Sequence, residues 1–159
     1  MDNPLKQIED VAYRICGQSF GISVDDKHVT EHPFDARNIH PAISRVSKEI
    51  FDNGHYREAT LNAFIRIEER VKEKCSVEGI GFRLMMNVFN EENPQIALNE
   101  LSDDSEMSEQ KGYRHMFAGA MSGIRNPRAH STLHDTMNEC LDHLSIASAL
   151  MRKIDSTED

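Results

Sequence analysis

Apolar residues recur three and four positions apart through Tyr56, Thr60, Ala63, Phe64, Ile67, Val71 and Cys75. That spacing paints one face of an α-helix. A half-buried strand would need strict alternation instead. The period returns at Ile43, Val46, Ile50 and Phe51, again at Tyr113, Met116, Phe117, Ala120 and Ile124, and from Met137 through Cys140, Leu141, Leu144, Ala147 and Met151 to Ile154. Each stripe must be buried against another. The chain therefore reads as an all-α bundle of about five or six helices.

The boundaries follow from punctuation residues. Pro41 suits a first helical position, where its missing donor costs nothing, and Gly54 suits a stop. The short gap Asn53-Gly54-His55 predicts that the helices on either side are antiparallel neighbours. Gly79 to Phe89 reads as a short apolar helix broken by Asn93-Pro94, with an extended piece over Gln95 to Leu101. The acidic run Asp103-Asp104-Ser105-Glu106 precedes a helix expected from about Ser108, placed favourably for its dipole. Gly112, Gly119 and Gly123 lower that helix's propensity, and at this spacing they allow a close helix approach.

Pro127 cannot continue a regular helix, because its ring meets the carbonyl of Gly123 and the preceding residue avoids the helical region. The helix is thus expected to stop or kink near Arg125-Asn126, with Asn126 as N-cap of a new turn. Thr132 and Asp135 resemble a capping box opening the last helix. The near-heptad spacing of that helix suits the core or a dimer partner. Residues 1–37 read as a weak amphipathic helix, Leu5 to Cys16, then an irregular stretch with room for a short strand. Residues 38–159 read as the helical domain.

The chain has 159 residues, 38% apolar and 28% charged, which fits one globular core rather than disorder. No apolar run is long enough to span a bilayer. The N-terminus lacks the pattern of a signal peptide, so a cytoplasmic location is expected. Cys16, Cys75 and Cys140 are odd in number and far apart, as suits reduced buried thiols. The net charge of −9 weighs against a general nucleic-acid binder, so any RNA contact has to be local.

Candidate chemistry is concentrated in Arg125-Asn126-Pro127-Arg128-Ala129-His130. An arginine fork matches a phosphate, and a neutral imidazole can take the proton of a ribose 2′-hydroxyl. Arg125 can stabilise the charge that develops on phosphorus, and Asn126 can orient His130. The same residues also suit a plain helix end, where arginine meets the dipole and Asn-Pro breaks the chain. A metal is not expected. His130 and His134 are four apart, but they lack a His-Glu-x-x-His arrangement and a third ligand. No serine elbow or glycine-rich nucleotide loop is present, so no cofactor is expected.

Arg125, Asn126 and His130 fill the signature of the HEPN superfamily of small all-α domains. His40-Pro41-x-Ile43, Gly54-His55-Tyr56-x-x-Ala59, Leu84-Met85, Gln110-x-Gly112-Tyr113, Phe117-x-Gly119-Ala120, the motif itself and Ser145-x-x-Ser148-x-Leu150 resemble a Ymh-type family within that group, over roughly residues 38–155. The resemblance implies a HEPN-like bundle and a homodimer whose motifs face each other across a cleft. It also implies a metal-independent endoribonuclease that leaves a 2′,3′-cyclic phosphate. The implied settings are phage defence, abortive infection or a toxin–antitoxin pair, with RNA as substrate and an antitoxin or defence protein as partner. Arg125, Asn126 and His130 would be catalytic, and Arg128, His55, Tyr56 and Arg114 would contact substrate. The alternative is a non-catalytic HEPN-type module that binds a partner protein or a nucleotide.

Overall fold

The computed structural model describes residues 31–157, and all regular structure among them is helical. The expected Leu5 to Cys16 helix and Cys16 itself lie outside the described residues. The elements are α1 (Pro33–Ala36), α2 (Pro41–Asp52), α3 (Tyr56–Lys74), α4 (Gly81–Val88), α5 (Asp104–Ala120), a π-helical turn (Met121–Arg125), α6 (Asn126–His130) and α7 (Met137–Asp155). The last helix ends where its stripe predicts, although Met137, counted in that stripe, is exposed.

Two His-Pro pairs start helices in the same way. The His32 ring accepts from the Phe34 amide at 3.1 Å and the His40 ring from the Ala42 amide at 3.1 Å, with proline next in the chain. The first pair makes the helical turn α1 in a stretch expected to be irregular. Phe34 drops from it into the core, its ring 5.1 Å from that of Phe51. Gly54, at φ 79°, gives the left-handed residue that lets α2 turn into α3.

α3 packs against α2 and α7, and α4 packs against α5. Phe64, Ile67 and Val71 of α3 meet the core together with Leu144, Leu150, Met151 and Ile154 of α7, all fully buried. Phe89 and Phe117 stack at 4.3 Å beneath α4 and α5.

Three expectations change. The Gln95 to Leu101 segment is not extended. Its amides turn back to the Val88 carbonyl, and the buried Gln110 side chain bonds Phe89 O, Ile96 O and the Leu98 amide. One side chain thus satisfies backbone groups that a strand would have paired. α5 begins at Asp104 rather than near Ser108, because Asp103 accepts from the Glu106 amide at 2.8 Å. The last helix is opened by Thr136 and Glu139, which form a reciprocal capping box. Thr132 and Asp135 carry a similar pattern, but Asp135 is held elsewhere.

Candidate functional site

The helix carrying the motif does not break at Pro127. Arg125 (φ −68°, ψ −51°) and Asn126 (φ −61°, ψ −45°) are both helical, so Asn126 is no N-cap. The turn before the proline is widened instead. The Asn126 amide donates to Met121 O, five residues back. Widening displaces the carbonyl that a regular turn would press against the proline ring, and Pro127 has no donor to lose. Asp104 to His130 is therefore one unbroken helical rod that carries the motif at its C-terminal end. Gly112, Gly119 and Gly123 have open space where a side chain would stand. Among the described residues nothing takes up the close approach that these glycines allow.

The motif side chains divide sharply. Arg128 is buried. Its Nε donates to Asp135 Oδ2 at 2.6 Å and its Nη2 to Asp135 Oδ1 at 2.7 Å, while its Nη1 donates to the Ile124 carbonyl at 2.8 Å. The Nδ1 atom of His143 lies 3.2 Å from Nη2. Burial, and next the Arg128 guanidinium, hold the His143 pKa below its ordinary value. Arg128 is thus the anchor of the α6–α7 loop, and its burial against Asp135 stands against the phosphate contact expected of it.

Arg125 stands otherwise. It is half-buried and in no ion pair with a described residue. Its Nη1 reaches Asn126 Oδ1 at 3.3 Å, and its buried Nε has no hydrogen-bond partner among the described residues. His130 is exposed, and no described residue bonds its ring. The two lie five residues apart on the rod, hence about 140° apart around its axis. No hydrogen bond joins them among the described residues.

Arg114 departs from its expected place in a basic patch. Its Nε donates to Met86 O at 2.9 Å and its Nη1 to Glu91 at 2.6 Å, tying α4 to α5. His55 is exposed at the start of α3, while Tyr56 packs its ring 5.2 Å from that of Phe51. Both line a groove of about 410 Å³ between the α2–α3 turn and the α6–α7 loop.

Arg57 is missed by the sequence reading, and Asp135 enters it only as a cap for the last helix, not as the partner of Arg128. Arg57 Nη1 donates to the Ser131 carbonyl at 2.6 Å and the Arg128 carbonyl at 3.3 Å, which caps the end of α6 beside His130. Its Nε and Nη2 hold Glu58, whose pKa the hydrogen bond from Arg57 lowers. No spacing rule marks either role, since Arg57 reaches carbonyls 71 and 74 residues away and Asp135 turns back to Arg128 across a loop.

Cys75 and Cys140 are free and buried, and burial raises the pKa of each thiol. No group of three or more metal-ligating side chains occurs among the described residues. No described helix is long and apolar enough to cross a membrane.

A family model described as "Protein of unknown function (Hypoth_ymh)" matches residues 37–154. No curated protein and no solved structure matches the chain.

Proposed function

The chain belongs to the Hypoth_ymh family, described as a protein of unknown function, and from its site we propose that it is a metal-independent endoribonuclease of the HEPN type. The observation that carries this reading is the contrast among the arginines around the motif. Arg57, Arg114 and Arg128 are committed to carboxylates and carbonyls, while Arg125 keeps a buried donor without a partner among the described residues, and His130, five residues on, is exposed and equally uncommitted. A buried donor without a partner costs about 1–3 kcal/mol, which a bound anion would offset.

The neutral His130 ring takes the proton of a ribose 2′-hydroxyl. The resulting oxygen attacks the adjacent phosphorus, and the bond to the 5′-oxygen breaks, that oxygen taking up a proton. The products are a 2′,3′-cyclic phosphate and a free 5′-hydroxyl. Arg125 binds the phosphate oxygens, where its charge counts most in the pentacoordinate state. Asn126 holds the guanidinium through Oδ1.

A homodimer fits this arrangement. Arg125 and His130 diverge around the rod, so a second copy can complete a site that one copy leaves splayed. The exposed face with Gly112, Gly119 and Gly123 and the half-exposed Met116 gives it a close-packing seam. The setting in this reading is a cytoplasmic defence or toxin–antitoxin system.

The test is RNA cleavage in EDTA by the wild type, His130→Ala and Arg125→Ala. The expected result is cleavage by the wild type with 2′,3′-cyclic ends, and its loss in both variants. Equal RNA integrity in all three, across several substrates, sinks the catalytic reading. The net charge of −9 then favours the second reading, a module that holds a basic partner protein.

A further inference from the structure

Beside the end of α6 lies the groove of about 410 Å³ walled by the start of α3 and the α6–α7 loop. We infer that this groove seats an unstacked base of single-stranded RNA, the base adjoining the phosphate at His130. The inference rests on the nuclease reading for the position of that phosphate.

The groove looks acidic in sequence and is not so in charge. Glu58 is neutralised by Arg57 at 2.8 Å, and Asp135 is neutralised by both donors of Arg128. His55 and His134 remain, exposed and without a side-chain partner among the described residues. An imidazole can donate and accept, which suits the mixed edge of a base.

Leu133 supplies the apolar wall. It is 47% exposed, on a loop fixed by the Asp135 ion pair and by Ser131, whose Oγ donates to Pro127 O at 2.5 Å. An exposed leucine on an anchored loop, lining the same groove as Tyr56, offers apolar surface to a base. Bases of single strands are also bound through their edges.

Continuity with the motif is covalent and polar. Ser131 follows His130 directly, and its carbonyl is held by Arg57, whose own residue lines the groove. The groove wall at Thr132 thus begins two residues after His130 in the chain. The groove's volume lies within the range of small-ligand sites. A base paired in a duplex would first have to leave its stack to enter it.

The experiment uses the full chain in a His130→Ala background, so that RNA stays intact. Fluorescence anisotropy measures binding of a labelled single-stranded RNA oligonucleotide and of the same sequence as a duplex. Leu133→Asp and, separately, His134→Ala are added, with circular dichroism to verify the fold. The single strand is expected to bind better than the duplex, and Leu133→Asp is expected to weaken it about tenfold. With His130 restored, KM rises while kcat holds. Binding unchanged in both variants, or equal binding of duplex, overturns the groove even if the wild type cleaves RNA. Groove-dependent binding without cleavage by the wild type supports the groove and removes the nuclease reading alone. No RNA binding at all overturns the groove.

Discussion

Arg125 and Arg128 sit one helical turn apart, yet they belong to different regions of the molecule. Around Arg128 each guanidinium nitrogen is engaged: Asp135 takes two N–H donors, Ile124 O takes one, and Arg57 caps the carbonyls at the end of the same turn. Around Arg125 and His130 the polar groups are left over. The difference separates arginines that hold the fold from those free for a ligand. Charge alone does not, since both residues carry the same charge in the same short string.

The comparison breaks most directly at Asp135. Asp135→Ala leaves a buried guanidinium unpaired and is expected to cost about 3–5 kcal/mol, a drop in Tm of about 10 °C. A loss under about 1 kcal/mol in thermal or urea unfolding would mean that the Arg128 pair does not hold the fold. His130→Ala probes the opposite region. Stability should stay within about 0.5 kcal/mol, while cleavage should fall about 10²–10⁴-fold. A large change in Tm with unchanged RNA cleavage reverses the assignment.

Smaller effects sharpen the boundary between the two regions. Thr136→Ala removes the cap of α7 just past the anchored loop and should cost about 1 kcal/mol; urea denaturation reads this, and no change would dismiss the capping box as a structural contributor. The pH dependence follows from His143. Its folded pKa lies below the unfolded value of about 6.5, so the unfolded chain binds more protons in that window. Stability is full above about pH 6.5 and falls as pH drops from there through the folded pKa. His40, whose pKa burial also lowers, adds in the same direction. His143→Gln should flatten the slope between about pH 6.5 and 5 without abolishing it. An unchanged slope removes His143 from the cause.

Much of the fold was legible in the chain. The stripes of α2, α3, α5 and α7 record burial at a helical period, and Pro41 and Gly54 mark ends because their backbones permit little else. Caps were less so. Thr132 to Asp135 and Thr136 to Glu139 look alike as strings, and only the distant Arg128 decides which carboxylate is free to cap. Gln110 was unreadable for the same reason, as its role depends on a loop brought to it by α4. Of the site, the positions of Arg125 and His130 were readable, but not which arginine was already occupied. That depends on partners seven and more residues away. Of the stop or kink expected near Pro127, the stop does not occur, because proline rules describe a regular turn and here the turn is π-helical.

The widened turn makes the motif a matter of counting. A helix keeps time by residues, and one extra residue between Met121 and Arg125 advances everything after it by about 100°. Shorten that interval by one and Pro127 strikes a carbonyl while His130 swings to another quadrant, with no side chain altered. The placement of the motif is therefore phased as much as composed.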